Sequence, residues 1–141
     1  MKFLLDTNVV SETMRASPNR HLLGALARHD GQLCISAVTW HELAFGVRRL
    51  PKGVRRTALE ARLQDLARDL PPPLAITGVA ADWLATERAR LEAKGVSISM
   101  EDGLIAATAY ESNLTVVTAN TKHFAPFLGV RVVDWLGPSE R

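Results

Sequence analysis

The sequence predicts an α/β domain with a mostly parallel central sheet of about five strands and helices on both faces. Short apolar runs alternate with longer segments of helical periodicity along nearly the whole chain. The 141 residues suffice for one domain, 1–141, because domains most often hold roughly 100 to 150 residues. The composition, 47% hydrophobic and 23% charged, is that of an ordinary globular protein.

The first part of the chain is predicted to alternate strand and helix twice. Phe3-Leu4-Leu5 is an apolar run closed by Asp6, and it predicts a short buried strand. Ser17-Pro18-Asn19 separates two helical pieces, and Pro51 ends a longer helix because proline disfavours helical backbone before it. The elements predicted after the first strand are a helix over Val9 to Arg15, a helix over Leu22 to His29, a strand over Gln32 to Ser36 and a helix from about Thr39 to Leu50.

The middle of the chain is predicted to form a helical arm at about 54–95. Leucines recur at helical spacing, at Leu59, Leu63, Leu66 and Leu70, until three prolines stop the helix. The elements predicted next are a strand over Leu74 to Thr77, a helix from Ala80 to Leu91 that stops at Lys94-Gly95, a helix from about Met100 to Ser112, and strands over Leu114 to Thr118 and Val130 to Val133.

Charge and cysteine usage narrow the class of protein. A net charge of +2 and a pI near 9.0 permit a nucleic-acid partner without demanding one. The single cysteine, Cys34, lies in an apolar run and excludes a disulfide framework, which favours a reducing compartment. The apolar run at the amino terminus is too short for a signal peptide or a membrane span, so we expect a cytoplasmic protein with no membrane partner.

Three acids are predicted to meet at the carboxyl edge of the sheet, where ligands of open α/β sheets collect. Asp6 follows the first strand, Glu42 lies in the first turns after the second, and Asp102 opens the helix before the last strand pair. Each acid alone also fits helix capping. Thr39 to Glu42 and Ser99 to Asp102 resemble capping boxes, and Asp6 suits the first position of a helix.

Together, the acids predict a divalent cation. Asp102 shares its predicted inward face with Ile105, Ala106 and Ala109, and no Lys or Arg in the segments around Asp6 or Asp102 stands at a neutralising spacing. A cation would satisfy several inward carboxylates at once, and a distant arginine folding back is the alternative. Oxygen ligands favour Mg²⁺, or Mn²⁺ in its place, over zinc, and such an ion activates water for attack on a phosphodiester.

Four stretches, in this order, resemble the PIN domain, and specifically the VapC toxins of bacterial toxin–antitoxin pairs. The likeness runs from Met1 to Trp135. It implies a PIN-like fold and a magnesium-dependent endoribonuclease that cuts structured RNA such as transfer RNA, is neutralised by a cognate antitoxin and forms a homodimer. The four stretches are Phe3 to Asn8, Thr39 to Gly46, Glu101 to Ala109 and Val116 to Phe124.

The resemblance also assigns site residues. It places Asp6, Glu42 and Asp102 at the family's acidic positions, with Asp6 and Asp102 as metal ligands. The family often has a fourth acid after the fourth strand, where this chain offers Asn120 and His123. We predict Asn120 as the fourth catalytic residue, since its amide oxygen can accept a hydrogen bond from a metal-bound water, and His123 is the alternative at this position.

Several polar residues near these stretches have two interpretations. Thr7 and Thr118 either orient phosphate or water or cap the backbone. For His41 a surface or structural position is predicted, because neighbouring helical residues point about 100° apart and only Glu42 is expected to face the site. The arginines of the arm form a solvated face or, in the alternative, a surface for RNA or a protein partner.

Two other enzyme classes and one class of binding protein share parts of this pattern with the nuclease. A phosphatase of the haloacid dehalogenase type has a second aspartate where Asn8 stands, and a receiver domain has an aspartate after its third strand, where residues 74–78 have none. A non-catalytic PIN-fold RNA- or protein-binding module is the alternative. Three inward carboxylates disfavour it, because without a cation they repel one another.

Overall fold

The computed structural model describes residues 1–137, which contain seven helices and four strands. Residues 138–141, which the predicted domain includes, lie outside the described residues. The elements are β1 (Phe3–Leu5), α1 (Thr7–Thr13), α2 (Arg20–Arg28), β2 (Leu33–Cys34), α3 (Ala37–Arg48), α4 (Val54–Asp69), α5 (Gly78–Ala93), α6 (Met100–Glu111), β3 (Thr115–Val117), α7 (Thr121–Phe124) and β4 (Arg131–Val133).

The sheet has the order β2-β1-β3-β4, and every pair of strands is parallel. Leu5 pairs with Val117, so the residues that follow β1 and β3 are neighbours at one edge of the sheet. The backbone continues this pairing, because Asp6 N donates to Val117 O at 2.9 Å. The predicted α/β class with a parallel sheet is confirmed.

Alternate strand residues point to opposite faces of the sheet, and helices cover both faces. The residues that pack with α5, α6 and α7 are Leu4, Cys34 and Val116. The residues that pack with α1 to α4 are Leu5, Ile35 and Val117. This period of two is that of a strand buried on both sides. Burial also raises the pKa of the Cys34 thiol to about 11.

The sheet of the described residues has four strands, where the sequence predicted about five. The predicted strand over Leu74 to Thr77 is reduced to a single bridge between Leu74 and Ser36. Proline has no N–H to donate, so the three prolines before Leu74 cannot extend the pairing. On the other side, Thr77 already caps α5 by accepting from Ala80 N. Beyond Leu74 the segment has no strand among the described residues to pair with, because Ser36 caps α3 and the chain continues as a helix from Ala37.

The long helices α4 and α5 lie in the segment predicted as a helical arm, and α4 packs on α3 whereas α5 packs on α6. No helix within residues 1–137 has the length and apolar character needed to cross a membrane. Helix α7 was not predicted. It is one turn, held by the buried ring of Phe124.

Candidate active site

Asp6 occupies the junction of β1 and α1 and is only 4% exposed. Its carboxylate caps α1 by accepting from Thr7 N at 2.8 Å. The other oxygen accepts from Thr118 Oγ1 at 2.8 Å and from Asn8 Nδ2 at 3.0 Å. These donors come from the ends of β1 and β3, so the parallel pairing of the two strands builds the pocket around this carboxylate.

Burial raises the pKa of the Asp6 carboxyl above its ordinary value. Desolvation is the largest cause of the shift. The hydrogen bonds from Thr118, Thr7 and Asn8 oppose it, and the negative charge of Asp102 adds to it. Desolvation and the like charge of Asp102 thus both disfavour the ionised form of the Asp6 carboxyl.

Glu42, on α3, lies at the same edge of the sheet and is connected to it by a hydrogen bond from Thr7. The Thr7 hydroxyl lies 2.9 Å from Glu42 Oε1, to which it donates, and 3.2 Å from Thr39 Oγ1. The predicted capping box of Thr39 and Glu42 is wrong, because α3 begins at Ala37 and Ser36 caps it by accepting from Thr39 N at 3.1 Å. Glu42 thus lies in the second turn of α3, with its carboxylate free of any capping role.

Asp102 stands in the first turn of α6, on the face that the sequence predicted to be inward. Ile105, Ala106 and Ala109 on that face are all buried, while the Asp102 side chain is 21% exposed. Ser99 caps the helix by accepting from Asp102 N at 3.1 Å. The capping explanation therefore accounts for the Asp102 backbone, and the carboxylate instead meets His123 Nδ1 at 3.3 Å.

Asn120 lies at the rim of this edge, between β3 and α7. Its backbone N–H donates to Thr118 Oγ1 at 3.0 Å, which ties it to the group that binds Asp6. Within the described chain the Asn120 side chain makes no hydrogen bond to Asp6, Glu42 or Asp102 and does not cap α7. Of the two side chains at the position of the fourth acid, His123 is the one that touches an acid of the site.

Asn8 is a site residue that the sequence analysis missed. Its amide nitrogen donates to Asp6, and its amide oxygen accepts from Ala119 N at 3.2 Å, so one side chain links the loops after β1 and β3. The available signal was an amide two residues beyond an aspartate at a strand end. The contacts of Asn8 with Asp6 and with the loop after β3 were not predicted.

The three predicted acids share one edge but do not form a ready-made ligand set. Among residues 1–137 there is no group of three or more His, Cys, Asp and Glu side chains that could hold a metal. Glu42 is turned to Thr7, and Asp102 is turned to His123.

The donors present nevertheless suit Mg²⁺, which keeps several of its waters and binds proteins through one or two carboxylates. Asp6 and Asp102 supply such a pair. In the described part of the chain no Lys or Arg forms an ion pair with either of them. A carboxylate pair that no Lys or Arg neutralises is a local charge arrangement that a divalent cation would relieve.

A groove of about 830 Å³ opens beside Glu42 and Thr7. Its walls come from α1, α3 and α4, and they are mainly apolar. Four arginines also line it, at Arg15, Arg49, Arg55 and Arg62. The acidic edge therefore continues into a surface rich in guanidinium groups.

The PIN domain family matches residues 3–126 of this chain. The chain belongs to the PIN-domain family. The VapC ribonuclease Y4jK of Sinorhizobium fredii is 37% identical to it over an alignment of 128 residues, which covers 86% of this chain and 89% of the relative. The tRNA(fMet)-specific endonuclease VapC of Salmonella typhimurium is 31% identical over 139 residues, covering 96% of this chain and 98% of the relative.

Solved structures agree with the sequence relatives. The crystal structure of DNA-bound VapBC from Salmonella typhimurium superposes on this PIN domain with a TM-score of 0.85 at 30% identity, covering 96% of this chain and 98% of that chain. The predicted resemblance to VapC-type PIN domains is thereby confirmed. The family match covers Asp6, Glu42 and Asp102. Membership of the PIN family therefore excludes the haloacid dehalogenase-type phosphatase and the receiver domain.

Proposed function

We propose that this PIN domain is a metal-dependent endoribonuclease toxin of the VapC type, which hydrolyses RNA phosphodiester bonds and is neutralised by a cognate antitoxin. The observation that carries the proposal is the Asp6 carboxylate, buried beside the like charge of Asp102 with no Lys or Arg paired to either within residues 1–137. Burial and repulsion both cost free energy, and a divalent cation bound by the two carboxylates would offset that cost.

Mg²⁺, or Mn²⁺ in its place, would be held by Asp6 and Asp102, and Glu42 would act without binding it directly. The chemistry that such an ion supplies when bound is activation of water and of the scissile phosphate. The residues of the chain do the positioning. Thr118 and Asn8 fix the orientation of the Asp6 carboxylate.

Glu42 is proposed as the group that accepts a proton from the attacking water. Its carboxylate is oriented by the Thr7 hydroxyl and faces the groove, where substrate would arrive. Catalysis by a base requires this kind of positioning before it requires a matched pKa. Asn120 is proposed to hold water or phosphate at the rim through its neutral amide, with His123 as its neighbour beside Asp102.

The relatives support RNA and an antitoxin as partners. One relative is named for cleavage of tRNA(fMet), and the Salmonella typhimurium neighbour is a VapBC complex. We propose structured RNA, transfer RNA included, as the substrate, a VapB-like protein as the antitoxin, and the cytoplasm as the place of action. A homodimer is also expected, and light scattering that returns only a monomer would contradict it.

The non-catalytic RNA- or protein-binding module is the second candidate. It is favoured by the finding that no three potential metal-ligating side chains cluster within the described range. If this candidate were correct, RNA would bind to the purified chain without being cut, and Mg²⁺ would have no effect on the RNA.

The two candidates are separated by cleavage of total RNA by the purified chain, with Mg²⁺ and with a chelator. We expect cleavage only with Mg²⁺, and a loss of roughly 100-fold or more for Asp6→Asn and Asp102→Asn. Glu101→Gln is the matched control, because Glu101 is an exposed acid beside Asp102 on α6, and it should keep full activity. Equal activity of Asp102→Asn and the unchanged chain would defeat the proposal.

A further inference from the structure

Three flat side chains are arranged in a row on the exposed face of α3. His41, Phe45 and Arg49 lie one turn apart, at the spacing that brings helical side chains together. The His41 and Phe45 rings are nearly parallel, at 9°, with centroids 6.2 Å apart. The Arg49 Cζ atom lies 5.6 Å from the Phe45 centroid. We call these three residues the α3 ladder.

Phe45 is the central group of the ladder and is 57% exposed. A single exposed apolar side chain is common in soluble proteins and would imply nothing. Phe45 differs because it stands between an imidazole and a guanidinium group, both of which also present flat faces. The row is therefore a series of planar surfaces and not an isolated apolar side chain.

The α3 ladder runs beside the proposed active site. His41 precedes Glu42 in the chain and lines a depression of about 320 Å³ together with Glu101, at the start of the helix that carries Asp102. At the other end, Arg49 lines the groove into which Glu42 faces. A bound polymer lying along the α3 ladder would therefore pass α3, which carries Glu42, and α6, which carries Asp102.

The groove next to the ladder also offers positive charge that the protein does not neutralise. Arg15 pairs with Glu12, and Arg62 donates to backbone carbonyls. In the residues that the structure describes, neither Arg49 nor Arg55 has a carboxylate partner. Two guanidinium groups are thus available for phosphate, which binds their planar fork well.

Flat groups in a row beside unpaired arginines match the chemistry of unpaired RNA. Unpaired bases stack on aromatic, imidazole and guanidinium planes, and the flanking phosphates bind arginine, whereas the bases of a duplex are covered by their neighbours. An apolar protein segment, in contrast to RNA, would bind equally well to any hydrophobic side chain at position 45. It would gain nothing from parallel planes on either side of that position.

We propose that an unpaired nucleotide next to the scissile phosphate stacks on Phe45 in the α3 ladder, while Arg49 and Arg55 bind the phosphates beyond it. The inference rests on the proposed ribonuclease function and adds the surface that recognises the substrate. Stacking needs an accessible base face, so a continuous duplex should bind more weakly than a single strand.

The first test measures binding of a labelled single-stranded oligoribonucleotide by fluorescence anisotropy, in a chain that carries Asp102→Asn so that the RNA stays intact. Stacking on an aromatic side chain predicts that Phe45→Ala and Phe45→Leu each weaken binding by about fivefold to 100-fold. Phe45→Trp should bind as well as the parent or better. Val79→Ala, which alters a 68% exposed side chain on α5, is the control and should change the affinity less than about twofold.

The salt dependence of RNA affinity distinguishes the contribution of the Phe45 ring from that of the Arg49 charge. Arg49→Gln should reduce the slope of log affinity against log salt by about 0.7, the value for one phosphate contact to a single strand. Phe45→Ala should leave this slope unchanged. Thermal unfolding of each variant checks that the fold is intact, and Phe45→Trp keeps the test decisive if the alanine variant unfolds.

Each outcome decides the proposal. Unchanged RNA affinity of Phe45→Ala, full affinity of Phe45→Leu, or equal binding of a duplex would overturn it. If Phe45→Ala cleaves RNA with Mg²⁺ at full rate, stacking on Phe45 is refuted and the proposed ribonuclease function is retained. If RNA binding depends on Phe45 but the chain without Asp102→Asn does not cleave RNA, the ribonuclease function is refuted and stacking on Phe45 is supported. Absence of RNA binding overturns both.

Discussion

The hydroxyl of Thr7 donates to Glu42 at 2.9 Å across the junction of α1 and α3. The backbone N–H of the same threonine donates to Asp6 at 2.8 Å. One residue therefore orients two of the acids that we propose for catalysis, and its two contacts can be separated by mutation.

Thr7→Val should lower RNA cleavage by roughly tenfold to 100-fold, because valine keeps the shape and the N–H bond to Asp6 but leaves Glu42 unoriented. The free energy of unfolding should fall by no more than about 1.5 kcal/mol, the usual value of one hydrogen bond. Cleavage of a fluorogenic RNA and urea unfolding measure the two quantities.

Thr13→Val is the matched control for this substitution, since Thr13 lies on the same helix and its hydroxyl donates only to the Val10 carbonyl. It should keep full cleavage activity, and Thr7→Ser should recover most of it. A fully active Thr7→Val chain would remove Glu42 orientation from the mechanism.

The raised pKa of Asp6 predicts a pH dependence of stability with a definite sign. Burial, assisted by the charge of Asp102, makes the folded protein hold the Asp6 proton above the ordinary pKa of 3.8. As the pH rises from 3.8 through the raised pKa, the unfolded chain has released this proton and the folded protein has not. The free energy of unfolding should therefore decrease over this window, relative to a chain without the group.

The measurement is urea unfolding at several pH values in the presence of a chelator, for the unchanged chain and for Asp6→Asn. The difference in free energy between them should fall as the pH rises through the window and then level off. Asp102→Asn should narrow the window, because it removes the like charge. A difference that stays flat, or rises with pH, contradicts the assignment of a destabilising buried charge to Asp6.

Much of this architecture follows from sequence because it depends on local patterns. The uninterrupted apolar run Phe3-Leu4-Leu5 predicts a buried strand, and Leu4 and Leu5 pack on opposite faces of it. The acids after β1 and at the start of α6 could be placed because parallel strands end at one edge. The strand predicted over Leu74 to Thr77 is reduced to one bridge, because the segment beside it turns into helix α3 directly after Ser36.

Other features depend on contacts between distant segments, which a pattern does not specify. Asn8 bonds both Asp6 and Ala119, and nothing near it in sequence indicates the second partner. Glu87 lies among the buried positions of α5. It is buried because Arg90 and the Leu128 N–H bind its carboxylate, and these contacts lower its pKa. Such side-chain networks become visible only once the fold is known.

Mg²⁺ should stabilise the folded chain if Asp6 and Asp102 hold it. A ligand at tenfold excess over its Kd adds about 1.4 kcal/mol to the free energy of unfolding, which raises the Tm by a few degrees for a chain of this size. Thermal unfolding with Mg²⁺ and with a chelator measures the shift. Asp102→Asn should abolish it, and Glu101→Gln should keep it. A shift of equal size in Asp102→Asn would place the ion elsewhere.

Two helical glycines should respond oppositely to alanine. At Gly46 in α3 a Cβ atom would meet nothing within 4 Å, so Gly46→Ala should stabilise the fold by roughly 0.5 to 1 kcal/mol through helix propensity. At Gly103 in α6 the Cβ would lie 2.9 Å from Leu84 Cδ1 and 3.2 Å from Ile98 Cδ1. Gly103→Ala should therefore be the less stable variant by about 1 to 3 kcal/mol, the usual cost of overpacking.

The Gly103 substitution also tests how tightly the packing of α5 on α6 positions Asp102, which precedes Gly103. A displaced α6 should reduce RNA cleavage as well as stability. Leu84→Ala in the same chain makes room for the new methyl group, so the double variant should lose less stability than the sum of the two single variants. Strict additivity in urea unfolding would show that Leu84 and Gly103 do not contact each other. In that case the position of Asp102 would not depend on α5.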